Sequence, residues 1–200
     1  MRLGVFGGSF DPPHIAHVLA AKEVLRSSEV DRVLVVPVYG HAFGKRLESF
    51  EHRVALCRLA FDNVAGVEVS ELERELPPPN YTLYTLEALR GAYPGAELRL
   101  IVGADVLRDH AKWYRWGEVS RLAPVLAFGR VGVHGTEAPD PVLPGVSSTE
   151  VRAWLAGRGP RPPAGSTRAV APEALEARRR LTEVVPHEVL AYIDEHDLYR

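Results

Sequence analysis

The chain has 200 residues, of which 46% are hydrophobic and 25% are charged, and its formal net charge is -2 at pH 7. This size predicts a single domain over residues 1–200, and the charge gives no reason to expect a nucleic-acid binder. The single cysteine, Cys57, excludes an intrachain disulfide and indicates a reducing compartment. No stretch approaches the ~20 apolar residues that span a bilayer, and the opening residues are typical of a strand rather than a signal peptide. We therefore expect a cytoplasmic protein without a membrane partner.

Short apolar runs alternate with segments of helical periodicity along the chain. We predict strands over residues 3–6, 32–37, 67–69, 98–103 and 124–128. We predict helices over residues 14–26, 50–63, 82–93, 149–156 and 187–195, and a further one from residue 106. This alternation indicates an α/β fold, a Rossmann-like doubly wound parallel sheet with helices on both faces. Ligands of such sheets bind outside the carboxyl ends of the strands.

Two connecting segments differ from the rest in composition. Residues 38–49 join the second strand to its helix and carry His41 and Lys45. Residues 157–182 are rich in Pro, Gly and Arg. We predict a flexible excursion there, which serves either as a connector or as a lid or partner surface.

The segment after the first strand has the pattern of a phosphate site. Its sequence is Gly7-Gly8-Ser9-Phe10-Asp11-Pro12-Pro13-His14-Ile15-Ala16-His17. Two glycines let the backbone approach a ligand closely, and the start of the following helix offers free N–H groups and a positive dipole end to an anion. Because His14 and His17 are three residues apart, they share one face of the first helical turn and can donate to phosphoryl oxygens. Such a site works by positioning and charge stabilisation, without a side-chain nucleophile.

Other interpretations of this segment stay open at the level of the sequence. The glycines are compatible with an ordinary turn, and the histidines are compatible with packed interior residues. A zinc pair is a further alternative, although no acidic or cysteine ligand stands close by. The pattern is neither the dinucleotide fingerprint with three spaced glycines nor the P-loop.

A second candidate site lies far downstream. Its sequence is Gly145-Val146-Ser147-Ser148-Thr149-Glu150-Val151-Arg152. Ser147 or Ser148 is a natural N-cap for the helix that follows, and the guanidinium of Arg152 is suited to clamp a phosphate. Capping and phosphate binding are compatible roles for these residues.

Both segments resemble the signatures of the nucleotidyltransferase superfamily that uses a His-x-x-His phosphate site. Within it, the chain is most similar to the bacterial nicotinate-nucleotide adenylyltransferase family. The resemblance is also carried by Asn80-Tyr81-Thr82-Leu83-Tyr84-Thr85-Leu86, Ile101-Val102-Gly103-Ala104-Asp105, Lys112-Trp113-Tyr114-Arg115-Trp116 and the C-terminal residues 185–199. It covers nearly the whole chain outside residues 157–182.

The resemblance implies a reaction and its reactants. The 5′-phosphate of nicotinate mononucleotide would attack the α-phosphorus of ATP, giving deamido-NAD and pyrophosphate in NAD biosynthesis. Mg²⁺ would accompany the triphosphate, and the motifs assign no metal ligand to the protein. The partners would be small molecules, and a homo-oligomer is compatible with the sequence, which does not fix the oligomeric state.

The motif match also assigns roles to residues. His14, His17 and Arg152 would be catalytic, contacting the ATP phosphates and the transition state. The residues that bind ATP would be Gly7, Gly8, Ser9, Phe10, Gly103, Asp105, Ser147 and Ser148. The residues that bind the pyridine nucleotide would be His41, Lys45, Thr82, Thr85, Trp113 and Tyr114. In this group an indole can stack on the pyridine ring, and threonine hydroxyls near a helix start can meet its carboxylate.

Several neighbouring residues receive structural interpretations. We expect Tyr81 in the core. We expect Glu71, Glu73 and Arg74 to form a surface or structural charge cluster. Arg53 would add positive charge near the substrate phosphates.

Departures from the family pattern leave the acceptor open. Ala16 stands where the signature usually has Gly, and residues 39–45 lack the usual Pro-Pro-His-Lys pattern. Nicotinamide mononucleotide is therefore an alternative acceptor, since acid and amide are separated by few contacts. Pantetheine phosphate would not explain the Tyr-Thr-x-x-Thr segment, and a class I aminoacyl-tRNA synthetase would need a longer chain. An inactive regulatory module would not need intact His14, His17 and Arg152.

Overall fold

A computed structural model describes residues 1–42, 44–104, 110–131, 141–157 and 172–200. Its strands are β1 (Arg2–Gly8), β2 (Arg32–Pro37), β3 (Val67–Val69), β4 (Glu97–Gly103), β5 (Val125–Arg130) and β6 (Pro141–Leu143). They form a six-stranded sheet in the order β3-β2-β1-β4-β5-β6, and every neighbouring pair is parallel. The predicted doubly wound parallel sheet is confirmed.

Helices cover both faces of this sheet. Within the described ranges they are α1 (Ile15–Arg26), α2 (Phe50–Phe61), α3 (Thr82–Ala92), α4 (Trp116–Leu122), α5 (Ser148–Gly157), α6 (Pro172–Val184) and α7 (His187–Glu195). One hydrophobic cluster joins α1, α2, α5, α6 and α7 to the sheet, and a second joins α3 and α4 to it. None of these helices has the length and apolar character needed to cross a bilayer.

Strand β2 illustrates why the central strands have continuous apolar sequences. Val33 and Val35 belong to the first hydrophobic cluster, whereas Leu34 and Val36 belong to the second. All four are at most 1% exposed. A strand covered on both faces buries every residue, so its sequence loses the polar alternation of a half-exposed strand.

The segment predicted as a flexible excursion over residues 157–182 is partly helical. Residues 172–182 belong to α6, which packs against α5. The prediction is wrong for this part, because Ala177 and Leu181 lie four residues apart on one helix face and are buried. These two residues form a narrow apolar stripe on a helix rich in charged residues. The helical period of the apolar residues is therefore weak in the sequence. Residues 158–171 lie outside the described residues.

Short elements escaped the sequence-based prediction. They are β6, α4 and two short 3-10 helices, Leu72–Glu75 and His110–Lys112. These four elements have three to seven residues each and contain few positions from which to establish a period. The start of the helix predicted from residue 106 lies outside the described residues.

The strand order positions a binding site. Strand β1 is hydrogen-bonded to β2 on one side and to β4 on the other. The chain winds outward through β2 and β3 in one direction and through β5 and β6 in the other. At such a switch point the connections leave in opposite directions and open a crevice at the carboxyl ends of the two central strands.

Candidate active site

A cavity of about 370 Å³ opens at the carboxyl ends of β1 and β4. Both its size and its position suit a small-molecule site in a doubly wound sheet. Most predicted site residues line it, namely Gly7, Gly8, Ser9, Phe10, His14, His17, His41, Thr82, Thr85, Gly103, Trp113 and Tyr114. Residues assigned to ATP and to the pyridine nucleotide on separate segments therefore meet in one cavity.

The turn between β1 and α1 is built around Phe10. Its backbone is left-handed, with φ of 46°. Its buried ring packs edge-on against Phe6 and Phe61, with ring centroids 5.4 and 6.4 Å apart. A side chain at Gly8 would lie 3.1 Å from this ring, so the glycine leaves the space that the ring fills. The ring anchors the turn in the core, and the backbone of the turn is the part suited to meet a phosphate.

His14 and His17 stack on each other at the start of α1. Their ring centroids are 3.8 Å apart with an interplanar angle of 29°, so the predicted proximity is confirmed. The His14 backbone N–H donates to Nδ1 of His17 at 3.1 Å. This bond needs a lone pair on Nδ1, so a neutral His17 carries its proton on Nε2. A donor at that atom, beside a helix N-terminus, suits a phosphoryl oxygen.

The second signature segment docks on the first. The Ser148 hydroxyl donates to the Pro12 carbonyl at 2.9 Å, and Nη1 of Arg152 donates to the Asp11 carbonyl at 2.5 Å. Nη1 of Arg152 also lies 3.5 Å from Oδ2 of Asp11. Ser148 and Arg152 therefore stand against the β1–α1 turn, beside the cavity rather than in its lining.

Ser147 is the N-cap of α5. Its backbone N–H and its hydroxyl both donate to Oε2 of Glu150 at 2.8 Å, and the Glu150 backbone N–H donates back to Oγ at 3.3 Å. This reciprocal pair is a capping box. The capping interpretation is confirmed for Ser147, and phosphate binding by this residue stays a prediction.

Basic side chains lie close together beside the turn between β1 and α1. Burial and the positive charge of Arg152 lower the pKa of Lys45, and burial together with Lys45 and Arg53 lowers the pKa of His41. His41 and Lys45 share a depression next to the main cavity. An incoming anion would favour the protonated forms of His41 and Lys45, because its negative charge acts against burial and the neighbouring cations. This cluster is therefore suited to phosphate groups.

Arg53 holds together the two loops that flank the site, a role that the sequence did not reveal. It is 2% exposed. Its Nε donates to the Glu48 carbonyl at 2.9 Å, and its two terminal nitrogens donate to the carbonyls of Ser9 at 2.9 Å and Val38 at 2.8 Å. Its spacing of four residues from buried Cys57 places it on the apolar face of α2, which is the signal that could have found it.

The carboxylate of Asp11 ties the first signature to the C-terminus. It is 2% exposed, and its Oδ1 accepts from the Tyr199 hydroxyl at 3.0 Å and from the Glu48 backbone N–H at 3.2 Å. Burial and this carboxylate raise the pKa of Tyr199. The last residues of the chain therefore support the site, although the sequence indicated only their family resemblance.

Glu73 differs from the other members of its predicted charge cluster. Glu71 and Arg74 pair with Arg58 and Glu51 at the surface, at 2.6 and 2.8 Å. Glu73 instead is buried and lines the cavity. The surface interpretation is wrong for this residue, because its 3-10 helix turns its side chain inward. The structural alternative remains.

Two donors hold the Glu73 carboxylate. Its Oε1 accepts from the Thr85 hydroxyl at 2.8 Å, and its Oε2 accepts from the Tyr39 backbone N–H at 3.0 Å. Burial raises the pKa of Glu73 to about 7, although both hydrogen bonds and the charge of Arg53 act in the opposite direction. The Thr85 hydroxyl, predicted to meet the substrate, already donates its proton to Glu73.

Aromatic side chains form the wall assigned to the pyridine nucleotide. Trp113 packs edge-on against Trp116, with centroids 5.5 Å apart. Tyr114 is 40% exposed and stacks on Tyr81 with centroids 4.5 Å apart. Tyr81 is only partly buried and lines the cavity, so its predicted place in the core is wrong. Its neighbour Thr82 begins α3 at the same wall.

Gly103 and Asp105 are the remaining residues predicted to bind ATP, and the described residues include only Gly103. Gly103 ends β4 and lines the cavity. Asp105 lies outside the described residues, so its place beside the adenosine stays a prediction.

Known proteins resemble this chain over its full length. A family model described as cytidylyltransferase-like matches residues 5–154. The "Probable nicotinate-nucleotide adenylyltransferase" of Anaeromyxobacter sp. (strain K) is 41% identical over 202 residues, covering 100% of this chain and 97% of that protein. The nicotinate-nucleotide adenylyltransferase of Bacillus subtilis (strain 168) is 30% identical over 206 residues, covering 99% and 98%.

A solved structure shares the fold. The Plasmodium falciparum nicotinic acid mononucleotide adenylyltransferase, complexed with NaAD, has a TM-score of 0.78 at 18% identity, over 99% of this chain and 97% of that one. At that identity the likeness establishes the fold alone, whereas the full-length relatives establish the family. The chain belongs to the nicotinate-nucleotide adenylyltransferase family.

Proposed function

We propose that the chain transfers the adenylyl group of ATP to nicotinate mononucleotide, giving deamido-NAD and pyrophosphate. One observation carries the proposal. At the strand-end cavity, His14 and His17 meet at a helix N-terminus, and Arg152 docks against the same turn. Relatives with this activity in their names match the whole chain, which supports the same chemistry here.

The proposed reaction is an in-line displacement at phosphorus. An oxygen of the acceptor 5′-phosphate forms a bond to the α-phosphorus of ATP, and the bond from that phosphorus to the bridging oxygen breaks. Pyrophosphate leaves with the electron pair of the broken bond. The acceptor supplies its own nucleophile, so the protein contributes position and stabilisation of negative charge.

The phosphate end of the site supplies the donors. We assign the Nε2 proton of His17 and the N-terminus of α1 to the α-phosphoryl oxygens, because the transition state gathers negative charge there. His14 lies against His17 and shares this role. Ser148 and Arg152 would meet the outer phosphates.

Mg²⁺ enters the proposal as a companion of ATP. Within the described ranges, no three His, Cys, Asp or Glu side chains converge on one point. Imidazoles, hydroxyls and a guanidinium around the β1–α1 turn suit phosphate oxygens, and the Asp11 carboxylate already accepts from the Tyr199 hydroxyl and the Glu48 N–H. The ion would therefore be held mainly by the triphosphate. It would neutralise charge on the leaving pyrophosphate.

The acceptor end of the site differs in chemistry. We assign the pyridine ring to the wall formed by Trp113 and Tyr114, and its carboxylate to the start of α3 at Thr82 and Thr85. His41 and Lys45 would meet the acceptor phosphate. Gly103 and Asp105 would lie at the adenosine, and the protein would work in the cytoplasm, as a monomer or a homo-oligomer.

Pyrophosphate release tests the proposal. The purified chain should release pyrophosphate from ATP and Mg²⁺ on addition of nicotinate mononucleotide, and His17→Ala should lower turnover by at least about 100-fold with the fold intact. Nicotinamide mononucleotide and pantetheine phosphate, assayed in parallel, identify a different acceptor. Release with none of the three would leave a nucleotide-binding module without this activity, and near-normal turnover by His17→Ala would remove the role assigned to it.

A further inference from the structure

The hydrogen-bond partners of Glu73 constrain where a proton can sit on its carboxyl group. Oε2 accepts from the Tyr39 backbone N–H at 3.0 Å, and a backbone N–H is always a donor. Oε2 therefore keeps an acceptor role, and Oε1, whose partner is a hydroxyl that can either donate or accept, is the favoured site for a proton bound by Glu73. That oxygen lies 2.8 Å from Oγ1 of Thr85.

The Thr85 hydroxyl changes its role with that proton. When Glu73 is ionised, Oγ1 donates its proton to Oε1 and can offer a ligand only its lone pairs. When Glu73 is protonated, Oε1 donates to Oγ1, and the hydroxyl proton becomes available to another acceptor. The Tyr81 carbonyl, at 3.5 Å, is at the limit of hydrogen-bond distance and competes weakly for that proton.

The two states suit different ligand groups. A hydroxyl that presents only lone pairs can accept from the N–H₂ of a carboxamide but meets a carboxylate with repulsion. A hydroxyl with a free proton can donate to a carboxylate. Since Glu73 and Thr85 both line the cavity beside Trp113 and Tyr114, their shared proton lies at the wall assigned to the pyridine ring.

We propose that Glu73 is a positioning residue that sets the choice between a pyridine carboxylate and a pyridine carboxamide, by giving or withholding the hydroxyl proton of Thr85. The inference rests on the proposed function, because it takes the pyridine substituent to lie at Thr85. It assigns acceptor choice to a residue of this chain that acts on the ligand through the hydroxyl of its neighbour.

The surroundings of Glu73 make both states accessible near neutral pH. The groups that face its carboxyl are the Tyr39 N–H from the loop after β2, the Thr85 hydroxyl from α3 and the Arg53 guanidinium from α2, and all three favour the ionised form. Burial opposes them and raises the pKa to about 7. The Asn80 side chain donates to the Glu73 carbonyl at 2.9 Å and fixes the backbone, so titration of the carboxyl leaves the wall in place.

The test is the pH dependence of acceptor selectivity in the whole enzyme. The quantity measured is the ratio of kcat/KM for nicotinate mononucleotide to kcat/KM for nicotinamide mononucleotide, with ATP and Mg²⁺, from pH 6 to pH 8. The two acceptors share the ribose and the phosphate, so titration of the acceptor phosphate and of the ATP site cancels in the ratio. The ratio should fall at least about tenfold over this range, as the protonated fraction of Glu73 falls.

A matched pair of variants isolates Glu73. In Glu73→Gln the amide oxygen can accept from the Tyr39 N–H while its N–H₂ donates to Oγ1 of Thr85, which imitates the protonated acid permanently. This variant should keep a high ratio at all pH values. Glu75→Gln makes the same charge change at an exposed position of the same 3-10 helix and should keep the pH dependence of the wild type.

The outcomes separate this inference from the proposed function. A wild-type ratio that stays constant between pH 6 and pH 8, or no turnover of the amide at any pH, overturns the role of Glu73 even if Glu73→Gln does not fold. A Glu73→Gln profile that still falls like the wild type overturns it as well. Absence of pyrophosphate release with both acceptors removes the proposed function, and the inference with it.

Discussion

Replacement of Arg53 tests whether one buried side chain holds the two loops of the site. Its guanidinium donates three hydrogen bonds of 2.8–2.9 Å to backbone carbonyls, and the residue is 2% exposed. Hydrogen bonds from a charged donor contribute about 1.5–3 kcal/mol each. The total loss is smaller than the sum of three such bonds, because water reaches some of the carbonyls once the donor is gone. Three buried carbonyls left without their donor cost about 1–3 kcal/mol each, and removal of the buried charge offsets part of this cost, which leaves about 3–5 kcal/mol. We expect Arg53→Met to lower the free energy of unfolding by that amount.

Arg58→Met, five residues further along α2, is the matched control. Arg58 pairs with Glu71 at 2.6 Å, and its side chain is 60% exposed. Exposed ion pairs contribute about 0–1 kcal/mol, so this variant should stay close to the wild type. Urea denaturation followed by circular dichroism gives both free energies. Equal, small losses in the two variants would refute the assignment of Arg53 as the residue that joins the loops.

Three further predictions concern stability. Because the folded-state pKa of Glu73 is about 7 against an ordinary 4.5, its contribution to stability is fully present below pH 4.5 and is lost as pH rises through 7. Between pH 4.5 and pH 8, Glu75→Gln, which keeps Glu73, should therefore lose about 3 kcal/mol more unfolding free energy than Glu73→Gln. Urea titrations at each pH measure this difference, and parallel curves for the two variants would contradict it. Tyr199→Phe removes a donor to buried Asp11 and should cost about 1–3 kcal/mol by thermal denaturation, whereas an unchanged Tm would speak against that contact. Ser147→Ala should cost about 1 kcal/mol by the same assay, and Ser147→Gly less, because glycine is tolerated at an N-cap and alanine is not; the reverse order would exclude capping.

Periodicity and spacing predicted most of the fold. Strand β2 and helix α7 were predicted with the bounds they have, because a strand buried on both faces and an amphipathic helix both leave strong patterns. Helix α6 was missed because its buried stripe consists of only Ala177 and Leu181 within a charged sequence. Composition alone made that segment resemble a connector.

The candidate site was predicted as a set of ligand-facing residues rather than as a network. The signatures identified His14 and His17, whose spacing alone brings them together. They could not reveal the contacts of Arg53, Glu73 or Tyr199, since a charged or polar residue in the sequence carries no mark of the backbone groups or carboxylates that will surround it. Those partners come from other elements, and only the fold brings them into contact.

The most direct test of the proposed activity follows the α-phosphorus of ATP. The chain is incubated with ATP radiolabelled at that position, Mg²⁺ and nicotinate mononucleotide, and the products are separated. We expect the label to move into a pyridine–adenine dinucleotide while unlabelled pyrophosphate is released in equal amount. Label that stays in ATP, or that appears as AMP without dinucleotide, would contradict it.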